Sequence, residues 1–95
     1  MFILNNPYVS DFLIETIKEN PDQSSAYYRL ATLLHNNGQI GVENAIEQCK
    51  RAVILNPNDA NAHMYLGYFL SLNQQFDDAK NEFKNADINL KYLKE

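Results

Sequence analysis

HMYLGYFL, residues 63–70, repeats the spacing of YYRLATLL, residues 27–34: a ring, two residues, Leu, a small residue, two residues and Leu. A second pair of segments also shares one spacing. AKNEFKNA at 79–86 matches AIEQCKRA at 45–52 in having Ala, three residues, Phe or Cys, two residues and Ala. Spacings of three and four place side chains on one face of a helix. A helical hairpin written twice, at a period of about 34 residues, predicts a solenoid of stacked helix pairs.

Proline and glycine residues mark where the predicted helices end. Asn20-Pro21 and Asn56-Pro57 close the first and third helices, and Asn37-Gly38 closes the second with residues that tolerate a left-handed backbone. The first helix follows Pro7, and the others are predicted at about 25–36, 41–55, 59–72 and 76 to the end of the sequence. No alternating, strand-like segment separates them, so the sequence predicts an all-α fold.

These residues resemble the tetratricopeptide repeat (TPR) family, whose pattern is a ring-x2-Leu-Gly-x2-Tyr segment followed by Ala-x3-Phe-x2-Ala. The resemblance implies one domain, 1–95, built as a helical-hairpin solenoid of about five helices. It contains two full repeats, an N-terminal half repeat and a long C-terminal helix. The predicted boundaries are 7–21 for the half repeat, 24–59 for repeat one and 60–95 for repeat two.

The two repeats differ from each other and from the family pattern. Tyr27 to Ala45 spans 18 residues where His63 to Ala79 spans 16, so we expect two additional residues in the turn around 39–43. His63 stands at the position where the family has a Trp-like residue. Small residues recur where the helices should pack closely, and Gly67 in mid-helix predicts a contact too close for a larger side chain.

Composition limits the possible functions. The chain has 95 residues, a formal net charge of −4 and a pI near 5.0, and Lys50-Arg51 is its only adjacent basic pair. Nucleic acids and anionic membrane surfaces need clustered positive charge, so neither is an expected partner. No apolar run is long enough to insert into a membrane. One cysteine cannot form an internal disulfide bond, which favours a cytoplasmic protein.

Catalysis, metals and cofactors are not expected. His35 and His63 lack a Cys or carboxylate at metal-ligand spacing, and Cys49 occupies a position equivalent to Phe83 that we expect to be buried. No glycine-rich phosphate loop is present. We therefore expect a non-catalytic protein-interaction adaptor or scaffold.

The resemblance implies a groove lined by the first helix of each hairpin as the place where a peptide or partner protein binds. Arg29 is the only cation near this face, which argues against a clamp for a terminal carboxylate and favours a ligand with apolar or aromatic anchors. We expect exposed aromatic residues there, with Tyr28 and Tyr68 as the main ones. The residues that match this face are Tyr28, Thr32, His35, Asn36, Asn61, Met64, Tyr68, Ser71 and Leu72.

The last helix suggests a second surface. Its apolar residues continue beyond what the preceding helix can bury, which predicts a homodimer or contact with a further domain through Ile88, Leu90, Tyr92 and Leu93. Two alternatives to the adaptor therefore remain open. One is a regulatory or targeting module of a larger enzyme, and the other is a homo-oligomerisation unit.

Overall fold

A computed structural model describes the backbone of residues 7–94 and the side chains of residues 8–88. Five α-helices account for nearly all of this part of the chain. They are α1 (Pro7–Glu19), α2 (Ser24–Asn36), α3 (Val42–Leu55), α4 (Ala60–Leu72) and α5 (Phe76–Lys94). The prediction of an all-α fold with five helices is confirmed, and the helices begin and end within a residue or two of the expected positions.

Each helix packs against its neighbour in sequence, with α2 against α3 and α4 against α5 as the most extensive pairs. The α4 helix also packs against α3 and touches α2, which stacks one hairpin on the other. A continuous cluster of buried residues runs through both hairpins, from Tyr27 and Ala31 in α2 to Ala79 in α5. The fold is therefore a short stack of hairpins in which α2 and α4 lie side by side.

The two hairpin turns differ in length as the sequence predicts. Residues 37–41 connect α2 to α3 and residues 73–75 connect α4 to α5, a difference of five minus three, or two residues. Gly38 adopts a φ of 75° in the longer turn, where a side chain would be unfavourable. In the shorter turn Gln74 takes a similar φ of 62°. The additional residues change only the turn, because the helices on both sides keep their register.

Small residues form the predicted seam between helices. Ala31, Ala45 and Ala52 are fully buried in repeat one. In repeat two, a Cβ atom added to Gly67 would lie 2.6 Å from a ring carbon of Phe83. Glycine at this point lets the Phe83 ring lie against the α4 backbone.

Gly67→Leu is expected to lower the free energy of unfolding by roughly 1–3 kcal/mol through overpacking. The leucine side chain would have to displace the Phe83 ring from its contact with α4. Thermal unfolding monitored by circular dichroism measures the change. Met64→Leu, a substitution at an exposed position of the same helix, is the matched control and should have little effect. An unaltered melting temperature for Gly67→Leu would contradict the placement of Phe83.

Candidate functional site

The start of each full repeat is fixed by the same hydrogen bond. The hydroxyl of Tyr27 donates to the carbonyl oxygen of Pro21 at 2.9 Å, and Nε2 of His63 lies 2.7 Å from the carbonyl oxygen of Pro57. These residues occupy equivalent positions 36 residues apart. In both repeats a ring in the first helix therefore ties that helix to the turn before it.

Asp59 holds α4 in position beside α2. Its Oδ1 atom accepts hydrogen bonds from the backbone N–H groups of Asn61 at 3.0 Å and Ala62 at 3.3 Å, which caps the start of α4. Its Oδ2 atom accepts a hydrogen bond of 3.2 Å from the hydroxyl of buried Ser24, at the start of α2. One carboxylate thus aligns the first turns of the two helices whose side chains form the groove.

A groove of about 430 Å³ lies between α2 and α4. Met64 and Tyr68 provide an apolar wall and remain 45% and 47% exposed. Two amide side chains belong to its lining, and none of the described residues that line it is charged. The complete lining is Thr32, Asn36, Asn61, Met64, Tyr65 and Tyr68.

Two stacked tyrosine rings form the floor between the helices. The rings of Tyr28 and Tyr65 lie 4.8 Å apart between centroids and are inclined by 18°. Tyr28 is only 4% exposed, so the expectation that it is an exposed aromatic anchor is wrong. Burial raises the pKa of its hydroxyl, and the nearby carboxylate of Asp59 raises it further. Its ring supports the groove from below because α4 covers that side of α2.

A tetratricopeptide repeat profile matches residues 12–41 and 48–81, about two thirds of the sequence. The chain belongs to the tetratricopeptide repeat family. This confirms the resemblance seen in the sequence, and it supports a general role for the TPR chain as a protein-interaction scaffold. Among curated protein sequences there is no significant match.

Solved structures of MamA have a similar fold. MamA MSR-1 matches with a TM-score of 0.75 and 23% identity, covering 95% of this chain and 51% of that one. A further crystal structure of MamA matches with a TM-score of 0.73 and 24% identity, covering 87% and 47%. MamA AMB-1 matches with a TM-score of 0.71 and 25% identity, covering 90% and 49%. The TPR chain therefore spans about half the length of these proteins.

Five of the nine predicted partner-binding residues line the TPR groove together. They are Thr32, Asn36, Asn61, Met64 and Tyr68. The Thr32 hydroxyl already donates a hydrogen bond of 2.8 Å to the backbone carbonyl of Tyr28, so towards a ligand it can act only as an acceptor. Tyr65, which the predicted set omits, lies on α4 between Met64 and Tyr68. The sequence contains a signal for it, because Tyr65 follows Asn61 by four residues and precedes Tyr68 by three, and both of these belong to the predicted set.

The remaining predicted residues lie beside the groove and not in its lining. His35 is half-buried at the end of α2 with its ring edge-on to Phe69, at a centroid distance of 5.1 Å. Ser71 faces a different cleft, formed between α4 and α5. Leu72 is exposed at the last position of α4 but does not line the groove. Helix α4 ends at this point, so its last two residues lie past the groove.

Two further expectations concern buried and exposed residues in the second helix of each repeat. Cys49 is fully buried as predicted, but the equivalent Phe83 is 43% exposed, so its expected burial is wrong. The difference arises because α4 packs over α3, whereas Phe83 lies on the last described helix. Ile88 is exposed on α5, while the side chains of Leu90, Tyr92 and Leu93 lie outside the described residues.

Within the described part of the chain, no helix is both long and apolar enough to cross a membrane. The same residues include no group of three His, Cys, Asp or Glu side chains that could hold a metal ion.

Proposed function

We propose that this TPR chain is a non-catalytic adaptor that binds an uncharged segment of another protein in the groove between α2 and α4. The observation that carries the proposal is the exposure of Met64 and Tyr68 in a groove whose lining also contains an amide side chain from each helix, Asn36 of α2 and Asn61 of α4. Large apolar side chains beside hydrogen-bonding groups are typical of protein-binding surfaces. The repeat boundaries 7–21, 24–59 and 60–95 and a cytoplasmic location are part of this proposal.

The chemistry of the lining defines the ligand. Met64 is flexible and polarisable and adapts to apolar side chains of different shape, while the ring of Tyr68 offers a rigid face. Asn36 and Asn61 can each donate to and accept from a peptide backbone. Since the lining is uncharged, a ligand with a central carboxylate or cation would lose hydration without gaining a partner. We therefore propose an extended segment with an apolar or aromatic anchor and uncharged neighbours.

The partner-binding set that we propose retains the predicted residues and adds one. Tyr28 acts through Tyr65, because the stacked rings fix the floor of the groove. His35, Ser71 and Leu72 would contact only a ligand that extends beyond the groove lining. The central contacts come from Thr32, Asn36, Asn61, Met64, Tyr65 and Tyr68. With only two full repeats we expect micromolar affinity, on the order of −8 kcal/mol.

Met64→Ala combined with Tyr68→Ala is expected to weaken peptide binding at least roughly tenfold without unfolding the chain, since both side chains are half exposed. The probe is a peptide selected from a random phage-displayed library against the unaltered chain, with affinity measured by fluorescence anisotropy. Binding should change little with salt, because the groove contributes no charge. The measurement therefore includes a salt titration.

Ile54→Ala is the matched control, because Ile54 is a large apolar residue of α3 that is highly exposed and lies outside the groove lining. It should leave the affinity unaltered. Selected peptides that bind the double variant as tightly as the unaltered chain would exclude the groove as the binding site. Peptides whose binding depends on a terminal carboxylate would contradict the uncharged ligand.

Two functions remain as alternatives to the adaptor, and each can be tested separately. A homo-oligomerisation unit would use the C-terminal helix, where Ile88 is exposed, and predicts loss of a dimer on Ile88→Glu. A regulatory or targeting module of a larger enzyme predicts that the chain binds and modulates a catalytic domain. Neither alternative requires Met64 or Tyr68, so the groove variant separates both from the adaptor.

A further inference from the structure

The first helix carries an exposed stripe of aromatic and acidic side chains. Each member has another member three or four residues away, which places them on one broad face of α1. The stripe consists of Tyr8, Asp11, Phe12, Glu15 and Glu19, all of them exposed. Phe12 is the most informative, because a phenylalanine that is 69% exposed between two carboxylates contributes little to the core. We call this set the acidic stripe.

The last hairpin carries a corresponding stripe in which the aromatic residues alternate with lysines. Phe76, Lys80, Phe83 and Lys84 are all exposed and share one face of α5. They border an open cleft of about 410 Å³ between α4 and α5, whose lining also includes one carboxylate, that of Asp87. Phe76, the first residue of α5, is 65% exposed. We call this set the basic stripe.

The preceding repeat indicates what kind of element could pack against the basic stripe on α5. In α3, Ile46 and Cys49 are buried in the core cluster that α3 shares with α4. One repeat later the equivalent residues are Lys80 and Phe83. Phe83 keeps an apolar surface against which a helix can pack. Lys80 adds a positive charge at the position of the buried Ile46. The surface is thus suited to a helix that brings both an aromatic residue and a carboxylate.

We propose that copies of this chain associate head to tail, with the acidic stripe on α1 of one copy docked against the basic stripe on α5 of the next. Phe12 would enter the cleft beside Phe76 and Phe83, and carboxylates of α1 would face Lys80 and Lys84. Glu15 lies 3.6 Å from Lys18 on its own helix, but this exposed pair contributes little and can rearrange.

The two stripes lie on different helices, so the contact is heterologous and can be repeated from copy to copy. The residues of the α2–α4 groove belong to neither stripe. Association would therefore place several grooves in a row, and a partner with repeated segments would bind such an array more tightly than a single copy. Head-to-tail association goes beyond the proposed adaptor function and does not depend on it.

The test uses two charge-reversed variants and sedimentation velocity. Lys80→Glu with Lys84→Glu reverses the basic stripe, and Asp11→Lys with Glu15→Lys reverses the acidic stripe. The unaltered chain should show concentration-dependent association up to about 1 mM, and each variant alone should associate at least roughly tenfold more weakly. High salt should weaken the association of the unaltered chain.

Mixing the two variants gives the decisive result. The unaltered α1 of one variant can still dock on the unaltered α5 of the other, and the two reversed stripes also complement each other. An equimolar mixture should therefore associate about as strongly as the unaltered chain, with the two variants alternating. Combining all four substitutions in one chain should restore association. Lys50→Glu, at the position in α3 equivalent to Lys84, is the matched control and should behave as the unaltered chain. Far-UV circular dichroism verifies that every variant is folded.

Three outcomes would overturn the proposal. The first is an unaltered chain that remains monomeric throughout the concentration range, which would mean that both stripes are solvated surfaces. The second is a mixture of variants that associates no better than either variant alone. The third is loss of association only when the basic stripe is reversed, which would indicate a symmetric dimer through α5.

Discussion

His63→Ala is expected to lower the free energy of unfolding by roughly 2–4 kcal/mol. The buried ring joins α4 to two other parts of the chain. Nδ1 lies 2.7 Å from Oε1 of Glu82 on α5, and Nε2 lies 2.7 Å from the carbonyl oxygen of Pro57 in the turn before α4. Removal of the ring leaves a mostly buried carboxylate and a carbonyl without these contacts. Urea unfolding followed by circular dichroism measures the loss.

A double-mutant cycle separates the interaction from the volume of the ring. His63→Phe keeps a ring of similar size but removes both nitrogen atoms, and Glu82→Leu removes the carboxylate that would remain unpaired. The combined variant should be less destabilised than the sum of the two single variants. Additivity to within about 0.5 kcal/mol would contradict the coupling. His35→Ala is the matched control, because its Nδ1 has no hydrogen-bond partner and its loss should cost less.

The repeat architecture could be predicted because it depends on local spacing. Ala31 and Gly67, like Ala45 and Ala79, are small at the points where helices meet, and small residues recurring at helical spacing are typical of helices that pack closely. The two additional residues of the first hairpin turn could be predicted by counting alone. Helix ends followed from Asn-Pro and Asn-Gly steps, whose backbone preferences act within a few residues.

The exposure of individual aromatic residues could not be predicted, because it depends on how the helices are placed relative to one another. Tyr28 lies on the same helical face as Thr32, yet α4 covers the tyrosine and leaves the threonine at the groove. Phe83 and Cys49 occupy equivalent positions, but only Cys49 lies under a following hairpin. Equivalence in sequence therefore predicts the position of a residue in its repeat and not the neighbours that it has in the stack.

The hydrogen bonds that join Tyr27 and His63 to the preceding turns were not predicted, although the sequence contains a signal for them. Tyr27 and His63 each follow a proline, Pro21 and Pro57, by six residues. Both rings have a polar atom that can donate to a carbonyl, and a buried polar ring usually has a hydrogen-bond partner. The partner of His63 Nδ1 has no such signal in the sequence. Glu82 lies 19 residues away, and only the packing of α5 brings it to the ring.

Alkaline pH is expected to destabilise the fold on the order of 4 kcal/mol through Cys49. Burial raises the pKa of its thiol from 9.0 to about 12. Below pH 9 the thiol is protonated in both states and does not affect stability. Between pH 9 and 12 the unfolded chain loses the proton while the folded chain retains it, so the free energy of unfolding falls by about 1.4 kcal/mol per pH unit. Urea unfolding at a series of pH values measures this slope.

Cys49→Ala isolates the thiol from the other groups that ionise in this range. Tyr28 also has a raised pKa, which favours the unfolded chain above about pH 10, and it is present in both proteins. At neutral pH the variant should be less stable by about 1 kcal/mol, because alanine leaves a small void beneath α4. The variant lacks the thiol slope, so the two stability curves should cross near pH 10 and the variant should then be the more stable protein. Parallel curves would mean that water reaches Cys49 in the folded chain, and that the α3–α4 contact, on which the repeat stack depends, is not closed.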